Sequence, residues 1–225
     1  MADFSFTSDT DLTDQEIETT QKTYDEHALD YVTHFERHPY ALKHAKPFTI
    51  DPFLSYYESF KLDGPILFAG CGSGRDMEVI SKKGIECVGV DISPNMVKLA
   101  KRYCKSAKIE VADLRNLNFP NNFFSGIFCE SALSHVKKSE LQHTILGFSR
   151  TLRRHGIALL TFRQNDGHVY YTEDLVGGKR YNTTILRSEI DRILAKSDLA
   201  TLSVQIHTHP VSDRPAFINF FVEKI

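Results

Sequence analysis

Residues 66–91, ILFAGCGSGRDMEVISKKGIECVGVD, decide the fold of this chain. An apolar run meets three alternate glycines, Gly70, Gly72 and Gly74, and after a helical pattern a second apolar run ends in Asp91. Strand, tight loop, helix and strand in this order predict a right-handed βαβ unit. Such a unit suits a nucleotide-like ligand, because the loop and the helix N-terminus direct backbone N–H groups towards it.

Outward from this unit, apolar runs and helical patterns keep alternating. The sequence predicts strands at 66–69, 85–90, 108–111, 126–130 and 157–163, and helices at 75–83, 94–104, 139–153 and 187–196. Two further apolar runs, 199–206 and 216–225, follow the last helix. This alternation predicts an α/β fold with a doubly wound, mostly parallel sheet and helices on both faces.

The remainder of the chain divides into three kinds of segment. Residues 1–12 are polar without periodicity, which predicts a disordered tail. Residues 13–62 carry two helical patterns and are expected to form a lid or flank on the sheet. Residues 63–225 form the predicted binding core, and within it the polar, aromatic stretch 164–184 is predicted to be a loop that encloses the substrate.

The lid helices have their own start and stop signals. Thr13 and Glu16 have the spacing of a capping box, and Pro39 is predicted to end the first helix. The second helix is predicted to begin with Asp51 as its cap and Pro52 in its first turn.

Composition narrows the class of protein. The chain has 225 residues, 41% of them hydrophobic, and this length and apolar content suit one domain with a full core. A net charge of -2 gives no overall electrostatic case for nucleic acid. No apolar run approaches the roughly 20 residues that span a bilayer, so the expectation is a soluble, cytoplasmic protein with no membrane contact.

Cysteine and histidine spacing does not favour a metal site. The four cysteines show no paired ligand spacing and are expected to be free thiols. His207 and His209 share a strand face, but without a third ligand no metal is expected.

The glycine spacing separates two classes of nucleotide site. The dinucleotide fingerprint is G-x-G-x-x-G, and here the third glycine comes one residue early, with Arg75 at the expected position. This spacing argues against NAD or FAD. Asp91, at the end of the second strand, is placed to accept hydrogen bonds from both hydroxyls of a ribose. A tight turn without any ligand is the duller alternative for the glycines alone.

Further motifs follow the glycine loop in a fixed order. Residues 90–96 (VDISPNM) match a "GxDxSxxM" segment, and 112–124 (ADLRNLNFPNNFF) follow an "ADxxxLPFxDxxF" loop. Residues 131–136 (SALSHV) and 150–156 (RTLRRHG) are similar to "xSLLHV" and "RxLKPGG", and 24–31 (YDEHALDY) to "YDxxAxxY". With these motifs the chain resembles the class I S-adenosylmethionine-dependent methyltransferases, in particular their small "type 11" group.

The resemblance implies a seven-stranded sheet whose last strand is antiparallel, S-adenosylmethionine as cofactor and S-adenosylhomocysteine as product. Asp91 would hold the ribose, Asp113 would bond the adenine amino group, and Tyr24 and Tyr31 would close the pocket. The full set of implied cofactor-binding residues is Tyr24, Tyr31, Gly70, Cys71, Gly72, Gly74, Asp91, Ile92, Met96, Ala112, Asp113, Leu114, Glu130 and Ser131.

One departure from the family stands beside the glycine loop. Two residues before Gly70 the family usually carries an acid that helps to hold the methionyl ammonium, and this chain has Phe68. Glu130 or a residue of the first helix is a candidate to replace that acid. The departure also motivates an alternative, a cofactor-binding regulatory or partner protein without catalysis.

The expected reaction is methyl transfer to a small-molecule acceptor enclosed by the N-terminal helices and the 164–184 loop. His135, Arg163 and Tyr170 are the candidate catalytic residues, with His168 and Tyr171 as further candidates. An RNA or protein acceptor stays open within this hypothesis. A nicotinamide-dependent oxidoreductase is the third possibility, and the glycine spacing disfavours it.

Overall fold

A computed structural model describes residues 3–36, 48–173, 178–207 and 215–225. In chain order its elements are β1 (Asp3–Phe6), α1 (Asp14–Glu26), α2 (Ala28–Tyr31), a π-helical turn (Val32–Glu36), α3 (Ile50–Ser59), β2 (Ile66–Ala69), α4 (Arg75–Ser81), β3 (Cys87–Asp91), α5 (Pro94–Tyr103), β4 (Lys108–Val111), β5 (Phe124–Cys129), a 3-10 turn (Leu133–His135), α6 (Lys138–Thr151), β6 (Leu152–Gln164), β7 (Val169–Glu173), β8 (Lys179–Thr183), α7 (Arg187–Leu194), β9 (Leu199–His207) and β10 (Ala216–Lys224).

The main sheet has seven strands in the order β4-β3-β2-β5-β6-β10-β9. The first five of these strands are parallel to one another, whereas β10 is antiparallel to both of its neighbours. The doubly wound α/β prediction, including the antiparallel final strand, is therefore confirmed. Strands β2 and β5 are buried along their whole length, as central strands covered on both faces should be.

Alternation along β2 distributes its side chains between two hydrophobic cores. Leu67 and Ala69 belong to the core under α6 and α7, whereas Ile66 and Phe68 belong to the core under α3, α4 and α5. Because successive strand residues point to opposite faces, a continuous apolar run of this kind requires helices on both sides.

Most predicted elements are found with ends shifted by a few residues, but β6 differs more. The sequence predicts a strand at 157–163 after a turn at Gly156, whereas β6 begins at Leu152 and contains that glycine. Leu152 pairs with Phe124, and the register between β5 and β6 then shifts, with His155 at φ 63°. The predicted turn is thus an irregularity within a long strand.

The capping box that was predicted for α1 is present. Thr13 Oγ1 accepts a hydrogen bond from the Glu16 N–H at 3.2 Å, and Glu16 Oε2 accepts from the Thr13 N–H at 2.8 Å. The prediction of one helix running to Pro39 is wrong within the described residues, since His27 (φ -108°, ψ 21°) leaves the helical region and separates α1 from α2. Pro39 itself lies outside the described residues.

The second lid helix begins earlier than its sequence predicts. Helix α3 starts at Ile50, with Thr49 before it, so Asp51 lies inside the first turn and is not the cap. Phe53 and Tyr57, one helical turn apart, are both buried against the sheet.

Two segments that were predicted to be irregular form a second, antiparallel sheet of order β1-β7-β8. The predicted loop 164–184 contains the β7 and β8 hairpin, and the predicted tail contains β1, which pairs Phe6 with Tyr170. Strands of four or five residues carry too little alternation to be recognised one at a time. The residues of β1 also pair with residues of β7 that lie more than 160 positions away in the chain, which local patterns do not reveal.

The N-terminal segment is also anchored by side chains. The Asp11 carboxylate accepts hydrogen bonds from the N–H groups of Lys138 and Ser139 at 2.6 and 3.2 Å, at the start of α6. A carboxylate at this position satisfies free N–H groups and suits the helix dipole. Leu12 is buried beside it. Residues 3–12 therefore contribute to the fold.

Candidate active site

A cavity of about 420 Å³ lies beyond the carboxyl ends of β2, β3, β5 and β6, with α1, α2 and the small sheet as its cover. This volume is in the range of small-molecule sites. The predicted site residues that line it are Tyr24, Tyr31, Gly70, Cys71, Gly72, Asp91, Ile92, Met96, Ala112, Asp113, Leu114, Glu130, Ser131, His135, Arg163 and Tyr170.

The glycine loop is held against β3 by its own main chain. The N–H groups of Gly70 and Cys71 both donate to the Val90 carbonyl at 2.9 Å. Gly70 has φ 75°, a left-handed conformation that residues with a side chain rarely adopt. The loop therefore presents bare backbone to the cavity.

Gly74 is not among the residues that line the cavity. It directly precedes α4 with φ 79°, and a Cβ added there would lie 2.9 Å from Cys104 Sγ. Its contacts indicate a packing role, because a side chain at this point would separate the loop from the end of α5.

Asp91 is oriented at the end of β3 by two backbone donors. Its Oδ2 accepts from the Gly72 N–H at 2.8 Å, and its Oδ1 accepts from the Ser93 N–H at 3.0 Å. Burial raises the pKa of this carboxyl, and the backbone hydrogen bonds oppose that rise. Each oxygen keeps a second lone pair, so the carboxylate can still accept from a diol in the cavity.

Asp113 also lines the cavity, just beyond the end of β4. Its carboxylate forms a two-pronged pair with Arg115, with Nε and Nη2 at 2.9 and 2.7 Å from Oδ2. Arg115 also donates to Glu140 at 2.8 Å, and these hydrogen bonds raise its pKa. Arg115 thereby fixes the direction of the Asp113 carboxylate and itself lines the cavity.

Phe68 occupies the position where an acid was expected. It is buried, with its ring centre 5.3 Å from that of Phe128, its register partner on β5. Continued alternation places Glu130 on the same face as Phe128, one step further towards the cavity. Arg75 Nη2 lies 3.1 Å from Glu130 Oε2 and 2.8 Å from Asp76 Oδ2. A carboxylate is thus present near Phe68, supplied by the neighbouring strand.

The lid is tied to the hairpin. The Tyr24 and Tyr31 rings meet edge to face at 5.2 Å, and the Arg180 guanidinium lies 5.5 and 4.8 Å from their centres. The Thr23 hydroxyl donates to the Lys179 carbonyl at 2.8 Å. The aromatic pair that was predicted to close the pocket therefore faces a cation supplied by β8.

The hydrogen bonds of His135 define its tautomer. Its Nδ1 lies 2.7 Å from the Tyr181 carbonyl, which can only accept, so Nδ1 carries the proton. The neutral Nε2 then accepts from the Tyr24 hydroxyl at 3.1 Å. Burial lowers the pKa of His135 to about 4, against the effect of the Tyr181 hydrogen bond, and the charges of Arg180 and Arg163 lower it further. At neutral pH this imidazole is an acceptor and a weak base.

This arrangement predicts a pH-dependent stability. His135 has a folded-state pKa of about 4, below its unfolded value. Its contribution to the free energy of unfolding is therefore complete above pH 6.5 and is lost as the pH falls towards 4. Relative to His135→Gln, wild type should lose about 2 to 3 kcal/mol of unfolding free energy over this window. Urea denaturation at pH 7.5, 6, 5 and 4 measures the difference.

The exposed His143 on α6 provides the control for that experiment. A His143→Gln variant should track wild type across the whole pH series. If the unfolding free energies of wild type and His135→Gln changed in parallel with pH, the pKa of His135 would be the same in the folded and unfolded states. That result would contradict the prediction.

The other catalytic candidates lie in different settings. Arg163 has its Cζ 3.4 Å from the centre of the Phe217 ring and donates to the Pro215 carbonyl at 3.2 Å. Tyr170 is almost fully buried, so only a small part of its side chain faces the cavity. Tyr171 and His168 are not among the lining residues.

Sequence reasoning missed the hairpin's contribution. Thr172, Arg180 and Asn182 line the cavity together with Tyr170. Tyr170 pairs with Asn182 and Thr172 with Arg180, so all four side chains share one face. The spacing of two residues within each strand, Tyr170 with Thr172 and Arg180 with Asn182, was the available signal, but it can be interpreted only when the segment is recognised as two strands.

Within the described ranges, no three His, Cys, Asp or Glu side chains are grouped so as to hold a metal ion. His209 lies outside those ranges, and His207 stacks between Phe48 and Phe217. None of the helices in the described part of the chain is both long and apolar enough to cross a membrane.

Residues 67–160 match a family model described as a methyltransferase domain. A 2-heptyl-1-hydroxyquinolin-4(1H)-one methyltransferase of Mycobacteroides abscessus is 28% identical over 123 residues, which are 52% of this chain and 51% of that protein. A demethylmenaquinone methyltransferase of Tropheryma whipplei is 30% identical over 93 residues, 40% of this chain and 38% of that protein. The chain thus matches about half or less of the length of these curated relatives.

Solved structures extend the likeness of fold to the whole chain. A Burkholderia thailandensis 1,6-didemethyltoxoflavin-N1-methyltransferase, crystallised with S-adenosylhomocysteine, has a TM-score of 0.69 at 15% identity and covers 100% of this chain and 96% of its own. A Synechocystis magnesium protoporphyrin IX methyltransferase with bound S-adenosylmethionine has a TM-score of 0.72 at 14% identity and covers 93% and 97%. At these identities the shared property is the fold.

Proposed function

We propose, from the premise that residues 67–160 belong to the class I S-adenosylmethionine-dependent methyltransferases, that this protein transfers a methyl group from S-adenosylmethionine to a small-molecule acceptor. The observation that carries the proposal is the Asp91 carboxylate, oriented by Gly72 and Ser93 beside a bare glycine loop. A carboxylate at the end of the second strand of such a unit suits a ribose diol.

The residues of the cavity fit each part of this cofactor. The backbone of Gly70 to Gly72 would lie against the methionyl part, and Asp91 would accept from the ribose. Ile92 and Met96 would flank the adenine, and the Asp113 carboxylate, which lines the same cavity, would accept from its amino group. Glu130 is proposed to take the ammonium that the missing acid at Phe68 would hold, since it lies on the same face of the sheet.

The chemistry requires alignment above all. A lone pair of the acceptor attacks the methyl carbon, the bond between sulfur and methyl breaks, and its electrons return to sulfur to give neutral S-adenosylhomocysteine. Holding the two reactants in line can supply roughly 7 to 11 kcal/mol of the barrier. A proton on the acceptor atom would leave to solvent or through the Tyr24 hydroxyl, which donates to the neutral Nε2 of His135, a weak acceptor at this depressed pKa.

The walls of the cavity favour a small acceptor. Tyr24, Tyr31, Tyr170 and Phe217 give aromatic surface, and His135 and Asn182 give polar contacts. A covered cavity that combines aromatic walls with placed polar groups is typical of small-ligand sites, whereas an RNA or a protein needs an open groove. His135, Arg163 and Tyr170 are proposed to contact the acceptor.

Release of S-adenosylhomocysteine tests the proposal. Purified protein with S-adenosylmethionine and a panel of small hydroxy, amino and aromatic compounds should show many turnovers with at least one acceptor. Binding of S-adenosylmethionine with release at background for every compound would favour the alternative that the buried Phe68 suggests, a cofactor-binding regulatory protein. Absence of binding would contradict both.

A further inference from the structure

Two arginines lie on the half of the cavity away from the glycine loop. Arg163 is on β6 with its guanidinium over the Phe217 ring at 3.4 Å, and Arg180 is on β8 with its guanidinium over Tyr31 at 4.8 Å. Both line the cavity. They come from different sheets, so the cavity is flanked by one cation below and one above.

The sheet order assigns Arg163 to the acceptor half. Strand β6 is two places from β2, which leads into the glycine loop, so the two are separated by roughly 10 Å at ordinary strand spacing. The carboxylates that line the cavity, Asp76, Asp91, Asp113 and Glu130, follow β2, β3, β4 and β5. Arg75 and Arg115 also line the cofactor half, but both are ion-paired with carboxylates there, Arg75 with Asp76 and Glu130 and Arg115 with Asp113 and Glu140. Among the described lining residues, the four carboxylates therefore outnumber the two arginines of the cofactor half, whereas Arg163 and Arg180 add positive charge to the other half.

The two guanidinium groups act on the same space. Both line the same cavity as His135, which lies between the lid and the hairpin, and the charge of each lowers the pKa of His135. Two cations beside the aromatic rings of Tyr31, Tyr170 and Phe217 favour an anion in this half of the cavity. A guanidinium also suits an oxyanion because its N–H groups lie in one plane and can donate two parallel hydrogen bonds.

We propose that the methyl acceptor carries an anionic oxygen group, a carboxylate or a similar oxyanion, that Arg163 and Arg180 bind together. This inference rests on the proposed methyl transfer and names the chemical class of its acceptor. The anion would fix one end of the acceptor beside β6 and β8 and direct its nucleophilic atom towards the glycine loop, where the methyl donor is proposed to lie.

The cofactor offers a second source of the same chemistry, because its methionyl tail ends in a carboxylate. The position of Arg163, two strands from the glycine loop, favours the acceptor. The Arg180 guanidinium lies close to Tyr24 and Tyr31, which are proposed to close over the cofactor. Its position alone therefore does not decide between an anion of the acceptor and the carboxylate of the cofactor. The experiment therefore measures both ligands.

The first arm measures the acceptor by calorimetry with S-adenosylhomocysteine present at saturation. The probes are matched acid and amide pairs: 4-hydroxybenzoate with 4-hydroxybenzamide, salicylate with salicylamide, and indole-3-acetate with indole-3-acetamide. Wild type should bind at least one acid about ten-fold or more tightly than its amide, as a charge-assisted pair predicts. Arg163→Gln and Arg180→Gln should each reduce that preference to about two-fold or less.

Arg192→Gln is the matched control, because Arg192 has the same charge and lies exposed on α7. It should keep the full preference for the acid. Arg180→Lys keeps the charge without the planar fork and should retain an intermediate preference. Thermal melting of each variant shows whether it is folded. If Arg180→Gln does not fold, Arg180→Lys still tests the role of Arg180.

The second arm compares S-adenosylhomocysteine with 5′-methylthioadenosine, which lacks the methionyl carboxylate. Unchanged affinity for both in the two Arg→Gln variants supports the acceptor assignment. Loss of affinity for S-adenosylhomocysteine alone would assign the anion to the cofactor and overturn the proposal. Equal binding of acids and amides by a wild type that binds S-adenosylhomocysteine would also overturn it, and would leave the methyltransferase proposal intact. No binding of S-adenosylhomocysteine by wild type would overturn both.

Discussion

Replacing Asp91 with alanine is expected to raise the dissociation constant for S-adenosylmethionine by at least about 100-fold, as loss of two hydrogen bonds to a charged acceptor predicts. The carboxylate is already oriented by the N–H groups of Gly72 and Ser93, so it pays little ordering entropy when a ribose arrives. Removing it also leaves two loop N–H groups without their acceptor. Calorimetric titration of both proteins with S-adenosylmethionine measures the change.

Asp51→Ala is a suitable control for this experiment. Asp51 is an exposed aspartate in the first turn of α3, and it is not among the residues that line the cavity. Its variant should bind S-adenosylmethionine as wild type does. Equal affinities for wild type and Asp91→Ala would remove the ribose role of Asp91 and, with it, the observation on which the proposed function depends.

Replacing Gly70 with alanine should have the second large effect, on both stability and binding. The new Cβ would lie 2.4 Å from the Ala132 Cβ, and the residue would have to keep φ 75°. Left-handed backbone and forced overpacking together should cost about 3 kcal/mol or more of unfolding free energy. Displacement of the loop should also weaken S-adenosylmethionine binding at least about ten-fold, since the bare main chain is the proposed floor of the site. Urea denaturation and calorimetry give the two values.

Gly147→Ala is the matched control, because a Cβ at Gly147 meets nothing within 4 Å and the residue lies inside α6. Alanine there should stabilise the protein by about 0.5 to 1 kcal/mol. An Ala132→Gly change in the Gly70→Ala background removes the steric contact and leaves the backbone strain. Partial recovery of stability is expected, and a wild-type-like Gly70→Ala protein would show that the loop can move away without cost.

The residues on one half of the cavity could be predicted from the sequence, whereas most of those on the other half could not. The cofactor half is built by consecutive residues: the glycine loop, Asp91 and the segment at Ala112 to Leu114 each follow the strand that positions them. Because the carboxyl ends of parallel strands meet at one edge of a sheet, order along the chain predicts their proximity. Gly74 is the exception, since its neighbours Cys104 and Met77 decide that it packs and does not line the cavity.

The acceptor half depends on contacts between distant segments. Arg180 is set against Tyr24 and Tyr31 by the pairing of β7 with β8 and by the hydrogen bond from Thr23 to Lys179. Its segment was predicted to be a loop, because two strands of five residues each carry little local signal. The depressed pKa of His135 has the same origin, since burial and two remote arginines cause it.

By itself the sequence determined the βαβ unit, the alternation that builds the sheet and the capping box of α1, because each depends on the spacing of residues a few positions apart. Only the tertiary structure decided that residues 3–6 complete a second sheet, that Phe68 is buried beside Phe128 with Glu130 next along the face, and that Arg163 and Arg180 converge on one cavity. Strand pairing and side-chain packing bring these residues together across long stretches of chain, and no local pattern carries that information.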